Sequence, residues 1–266
     1  MNPCQRSTTA AKKLSKKSLM TFASSVSSYW PPMKKRSTHL GDNSAGLVSK
    51  SIAVFVKDLR LELRSRYGLN AIFMFGITTL AVVSFALGQS SLSPKILGAL
   101  FWIIIFFSAM SGLAQVFVRE EEQQTALTLR LSADPDAVFL GKLFFNFALL
   151  ILMSSVITPL FFILTDAPTA GAVNFLIILF IGIVDLGAAT TLVAAIIAKA
   201  SVKGALFAVL AFPILLPMLI ALTLSSEKIL AGESLGEVSK LIQFLMAYAI
   251  VMVTASILLF KYVWQE

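Results

Sequence analysis

Residues 119–142, REEEQQTALTLRLSADPDAVFLGK, form the longest strongly polar stretch in the otherwise apolar part of the chain. The stretch holds three consecutive acids, two arginines, one lysine and an Asp-Pro-Asp turn, and apolar runs flank it on both sides. A structured polar loop between two membrane spans is a common place for a partner to bind, because loops carry function on a rigid scaffold. We therefore expect a docking surface here.

The composition around this stretch is that of a membrane protein. Of 266 residues, 57% are hydrophobic and only 14% are charged, whereas soluble domains contain about 25% charged residues. Each of the longer apolar runs is close to the ~20 residues that a helix needs to cross a bilayer. The sequence therefore predicts an all-α membrane protein with six transmembrane helices, at about 71–88, 96–118, 143–164, 173–198, 205–225 and 241–260.

The distribution of basic residues predicts how these spans are oriented. With the N-terminus in the cytoplasm, 19 lysines and arginines lie inside and 3 lie outside, and the ratio is still 11 to 3 without the first 45 residues. The positive-inside rule then places both termini in the cytoplasm. It also places residues 119–142 there, on the side where ATP is available.

The N-terminal region is polar and basic. Residues 1–45 are rich in Ser, Lys and Thr and contain no acid before Asp42, so we expect a disordered basic tail. Its composition also resembles that of a transit peptide. A further alternative is that translation starts later, at Met20 or Met33.

Residues 46–70 are predicted to form an amphipathic helix before the first span, and residues 71–266 the six-span membrane domain. Within the helix, Ile52, Phe55 and Leu59 recur at helical spacing, while most charged residues lie elsewhere. A basic amphipathic helix beside a span is expected to lie in the cytoplasmic interface of the membrane. The alternative is a solvated helix next to the membrane.

The polar stretch has its own helical signals. Leu127 and Leu131 fall on one face of a segment of good helix formers. Asp134 suits the N-cap of a following helix, and Pro135 suits its first position. The sequence predicts a short cytoplasmic helix, a turn, and a helix that rises into the third span. A solvated hairpin without a partner remains the alternative.

Several kinds of catalytic site are excluded by composition. The single cysteine, Cys4, and the single histidine, His39, both lie in the tail, so the apolar body offers neither a disulfide nor a histidine-based site. The phosphate-binding motif GxxxxGK[ST] is absent. We therefore expect a non-catalytic chain that binds no cofactor directly.

One ionisable residue lies inside a predicted span. Asp185 is near the middle of the fourth run, where a charge costs about 2.5–3.5 kcal/mol and is a functional candidate by default. Gly182 and Gly187 beside it allow close helix approach. The alternative is a protonated or hydrogen-bonded packing residue. In the fifth run, Pro213 and Pro217 should disturb the helical hydrogen bonds.

Two blocks carry a resemblance to a known family. KDLRLELRSRYGLNAIFMF (57–75) and VFVREEEQQTALTLRLSADPDAVFLGKLF (116–144) resemble the CcmB family, ABC-2-type haem exporter permeases of cytochrome c maturation. The likeness covers about 50–262. In place of the family's Gly-Ser-Leu-Glu near 124–128 the chain has Gln-Thr-Ala-Leu-Thr, and its proline comes later, at Pro135. The residues that match in kind are Phe117, Glu121, Leu127, Leu131, Ser132 and Lys142.

The resemblance implies a permease subunit in the inner (plasma) membrane that couples a partner's ATP hydrolysis to haem delivery or export. It implies a CcmA-like ATP-binding subunit, CcmC-like and CcmD-like membrane proteins, and a CcmE-like haem chaperone. Haem is the expected substrate and ATP binds the partner. The residues expected to form the docking loop are Glu121, Leu127, Leu131, Ser132 and Lys142.

Two other functions compete with this interpretation. The chain could be an ABC-2-type permease for a lipid, a polysaccharide or a drug. It could also be a membrane scaffold without a transport role, in which case no ATP-binding subunit would co-purify with it.

Overall fold

A computed structural model describes residues 40–87, 92–113, 134–169, 171–197 and 203–265. These described residues are mostly α-helical, and no strand occurs among them. From Leu47 onward the chain forms one compact unit. The helices are α1 (Leu40–Ser65), α2 (Tyr67–Leu87), α3 (Pro94–Leu113), α4 (Pro135–Thr165), α5 (Ala172–Ile197), α6 (Lys203–Leu230) and α7 (Ser239–Gln265).

Helices α2 to α7 are each long and apolar enough to cross a membrane. The predicted all-α class and the six predicted spans are therefore confirmed. The third span is longer than its apolar run, because α4 contains 31 residues and starts at Pro135. Asp134 takes the N-cap position in an extended conformation and Pro135 the first helical position, as predicted, but the Asp134 side chain makes no capping hydrogen bond.

The junction between α1 and α2 differs from the sequence-based boundary. We predicted a disordered tail to residue 45 and a helix over 46–70, whereas α1 spans Leu40–Ser65 and so begins within the predicted tail. After its last residue, Arg66 adopts a left-handed conformation with φ of 54°. The Glu62 carboxylate accepts a hydrogen bond from the backbone N–H of Leu69 at 2.8 Å. Gly68 makes room for this carboxylate, since a Cβ there would lie 3.2 Å from it. Glu62 thereby caps the start of the first span.

The most enclosed helix is α5, which packs against α4, α6 and α7. In the most apolar segment of α5, 72% is buried inside the protein, whereas the corresponding share for α2 is 17%. Two glycines on α5 allow this packing. A Cβ on Gly182 would overlap the indole of Trp102, and a Cβ on Gly187 would overlap the ring of Phe147. Helix α5 therefore forms the centre of the bundle.

Two aromatic side chains of α3 contact three other helices of the bundle. The ring of Phe101 on α3 packs edge-on against Phe161 of α4 and Phe175 of α5, with centroids 5.2 and 4.9 Å apart. Trp102 donates a buried hydrogen bond of 2.8 Å from Nε1 to the Ser226 hydroxyl of α6. Such edge-to-face pairs add to the stabilisation given by burial alone.

Candidate functional site

Four of the five residues predicted to form the docking loop lie outside the described residues. Residues 114–133 contain Glu121, Leu127, Leu131 and Ser132, so the docking surface stays a prediction. The fifth residue, Lys142, is described, and it lies in the second turn of α4.

Lys142 is fully buried, which no feature of the sequence indicated. Its ammonium group lies 3.3 Å from Asp58 Oδ2 on α1, while Lys57 contacts the other carboxylate oxygen at 3.1 Å. The relative exposure of Lys142 is 0% and that of Asp58 is 8%. Lys142 therefore holds α4 against α1, and its charge does not face the surface of the chain.

Gly141, the neighbour of Lys142, brings the two helices into contact. A Cβ on Gly141 would lie 2.7 Å from the Ser51 carbonyl oxygen and 2.7 Å from Val54 Cβ. Real Cβ contacts are essentially never this short, so a larger residue would push α1 away from α4. At the start of α4, Lys50 and Asp134 form a second ion pair of 2.7 Å, with side chains 38% and 64% exposed.

The surface of α1 divides into three lengthwise faces. Its buried face holds Ser51, Val54, Asp58 and Glu62. A neighbouring face carries apolar side chains, of which Val48, Ile52 and Leu63 are more than half exposed. Charged side chains, among them Lys57, Arg60 and Arg64, occupy the third face. An exposed apolar face beside a basic one fits a helix that lies in a membrane interface.

Asp185 lies at the centre of the bundle, in the middle of α5. Its side chain is fully buried, and neither carboxylate oxygen has a hydrogen-bond partner among the described residues. Asp185 is therefore an enclosed carboxyl group without a described hydrogen-bond partner. Elsewhere in the bundle, the Tyr248 hydroxyl of α7 donates a 2.5 Å hydrogen bond to the carbonyl of Ile214 on α6.

The sequence analysis identified Asp185 but missed a hydrogen bond between two other polar side chains inside the bundle. Asn146 of α4 is fully buried and donates a 2.6 Å hydrogen bond from Nδ2 to the Thr191 hydroxyl of α5. An amide within an apolar run was the signal that could have revealed it, because polar side chains in spans usually bond to neighbouring helices. The buried acids Asp58 and Glu62 gave a similar signal, since their spacing of four places both on one face of α1.

The described residues hold no group of three or more His, Cys, Asp and Glu side chains that could bind a metal ion. What they provide is a membrane bundle with one enclosed carboxyl group and a basic helix attached to the end that follows the polar stretch.

The comparisons with known proteins agree with this description. A family model described as CcmB protein matches residues 49–262, which include all six spans and the polar stretch between the second and third. No curated protein matches the chain.

Proposed function

The chain belongs to the CcmB family, whose members are multi-pass membrane permeases for haem export in cytochrome c maturation, and on that premise we propose a specific role. The chain acts as the permease subunit of an ABC transporter complex and couples a partner's ATP hydrolysis to haem delivery or export. The observation that carries the proposal is the family match over six spans and the intervening polar stretch.

The energy for this work comes from a CcmA-like subunit, because the chain has no GxxxxGK[ST] motif to hold nucleotide phosphates. That subunit docks on the loop that contains Glu121, Leu127, Leu131 and Ser132. The loop reaches the ATPase only if it faces the cytoplasm. This orientation is favoured because it places 19 lysines and arginines inside and 3 outside.

The other proposed partners act on haem itself. CcmC-like and CcmD-like membrane proteins complete the complex in the inner membrane, and a CcmE-like chaperone receives the haem. Haem is a substrate of the complex, and this chain holds no resident cofactor. With its single histidine at position 39, the chain provides no histidine in its spans for an axial bond to iron.

Purification in mild detergent tests the proposed role. We expect an ATP-binding subunit to co-purify with the chain, and cells that lack the chain to lose their c-type cytochromes until it is restored. If the subunit co-purifies but the cytochromes persist without the chain, the substrate is another compound. If no ATP-binding subunit is recovered, the scaffold interpretation replaces the transporter.

The proposed orientation predicts which positions are accessible from outside the cell. Cysteines that replace Thr169 and Ser234, both exposed in short turns, should react with an impermeant maleimide added to whole cells. A cysteine at Ser132 should react only after the membrane is opened, and this position provides the matched control. Labelling of Ser132 in whole cells would contradict the docking proposal, because the ATPase could not reach the loop.

Because the carboxyl group of Asp185 is enclosed in the bundle, we expect its replacement to impair function but not assembly. Asparagine has nearly the same shape but cannot ionise, so Asp185→Asn should insert and assemble normally and yet mature less c-type cytochrome, measured by haem staining. Asp166→Asn, which changes an exposed carboxylate after α4, is the control and should behave like the parent. If Asp185→Leu matures cytochrome as well as the parent, Asp185 has no functional role.

A further inference from the structure

The contact between α1 and α4 combines a close backbone approach with a buried ion pair. We define it by Ser51, Val54 and Asp58 on α1 and by Gly141 and Lys142 on α4. Because Gly141 has no side chain, the Ser51 carbonyl and Val54 can approach its backbone closely. The ammonium group of Lys142 then lies 3.3 Å from Asp58. Both types of contact occur within one turn of α4.

The burial of this ion pair makes the contact hard to break. If the helices separated, Lys142 and Asp58 would each lose a partner in surroundings that exclude water, and removing one partner of a buried pair is strongly destabilising. The Lys50–Asp134 pair joins the same two helices but is exposed to solvent, and exposed pairs contribute little. The attachment of α1 to α4 therefore depends on the contact that includes Lys142.

The position of the contact gives it a consequence for transport. Helix α4 begins at Pro135, directly after the docking loop, and Lys142 lies about 10 Å further along the helix axis, at 1.5 Å per residue. A displacement of the loop must move this end of α4. Because Glu62 of α1 caps the start of α2, a movement of α1 reaches the first span as well.

We propose that Asp58 and Lys142 are positioning residues that make α1 and the first turns of α4 move as one body. Displacement of the docking loop by the ATP-binding partner is thereby delivered to the interface helix and to the first span. This inference rests on the proposed function and assigns Lys142 a role inside the permease, at a distance from the partner's surface.

Lys142→Met and Gly141→Val test the inference in the complete complex with its ATP-binding subunit. Methionine removes the ion pair between the helices and leaves Asp58 with Lys57 of its own helix as its only described ion-pair partner. Valine at position 141 forces the helices apart with all charges kept. Both variants should retain the ATP-binding subunit and hydrolyse ATP. The amount of c-type cytochrome matured per ATP hydrolysed should fall by about fivefold or more, the lower end of typical coupling between sites.

Matched controls separate this effect from general damage. Lys50→Met breaks the exposed pair between the same helices, and Gly46→Val adds a side chain on α1 where no atom lies within 4 Å. Both should mature the parental amount of cytochrome per ATP. The double variant Asp58→Leu, Lys142→Met replaces both members of the buried pair by apolar side chains. It should recover most of the coupling, because apolar residues of similar volume often replace a buried pair without loss.

The possible results distinguish this inference from the proposed function. Parental yield per ATP in both Lys142→Met and Gly141→Val would overturn the inference and leave the proposed function intact. Release of the ATP-binding subunit by Lys142→Met would also overturn it, because Lys142 would then belong to the docking surface. If the parent itself recovers no ATP-binding subunit, both the proposed function and the inference fail.

If these variants fail to insert into the membrane, a distance measurement that leaves the contact between α1 and α4 unchanged tests the inference instead. Spin labels at Ser49 on α1 and Phe144 on α4, both exposed, report the distance between the helices in the assembled complex. If α1 and α4 move as one body, the distance between the two spin labels is the same with and without ATP. A distance that changes when ATP is added would show that α1 and α4 move separately and would overturn the inference.

Discussion

The double variant Leu127→Ala, Leu131→Ala is expected to keep its six spans in the membrane but to release the ATP-binding subunit in detergent. If the loop projects into water, these leucines have no core of their own, and the partner must bury them. Full burial of one leucine stabilises by about 1.5–3 kcal/mol. Losing both should weaken binding by a few kcal/mol, roughly a hundredfold or more at ~1.4 kcal/mol per tenfold change.

Co-purification with an affinity-tagged permease measures this loss. The matched control is Leu216→Ala, Ile220→Ala, which removes the same kind of side chains at the same spacing from the exposed surface of α6. The control should retain the subunit. If the loop variant also retains it at the parental ratio, the two leucines lie on lipid or on neighbouring spans, and the docking loop proposal must be dropped.

Gly182→Leu is expected to have the largest effect on stability among changes within the spans. A Cβ at this position would overlap the indole of Trp102, which is itself buried and hydrogen-bonded to Ser226. Overpacking typically costs about 1–3 kcal/mol and occasionally more. The position lies in the most enclosed helix, so we expect the upper part of that range and a loss of assembled protein.

The loss can be measured as the midpoint of thermal aggregation in mild detergent. Ala247→Leu adds a comparable volume on an exposed surface of α7, and its midpoint should match that of the parent. An equal midpoint for Gly182→Leu would mean that Trp102 can leave its place without cost, contrary to the tight packing between α3 and α5.

Local signals were enough to predict the spans and the start of α4. Apolar runs of membrane length identify helices because lipid offers the backbone no other hydrogen-bond partners. Asp134 and Pro135 marked a helix start because an N-cap and a first-position proline act within one turn. Asp185 stood out as the single acid in its run, and the structure places it at the centre of the bundle.

Contacts between distant parts of the sequence could not be predicted in the same way. Asp58 and Lys142 are separated by 84 positions, and each looked like an ordinary charge beside a membrane. Leu69 likewise gave no indication that the Glu62 side chain would accept its N–H. The left-handed conformation of Arg66, which separates α1 from α2, had no signal in the sequence either, so the end of α1 was predicted several residues too late.

The length of α4 sets how far from the lipid a soluble partner would bind. Its 31 residues extend about 46 Å at 1.5 Å per residue, whereas the hydrocarbon core of a bilayer is about 30 Å thick. A helix of this length that crosses the bilayer without tilt extends roughly 15 Å beyond the acyl chains. If that excess lies at the start of α4, Gly141 and Lys142 contact α1 at the level of the headgroups, and an ATPase could reach the loop without displacing lipid.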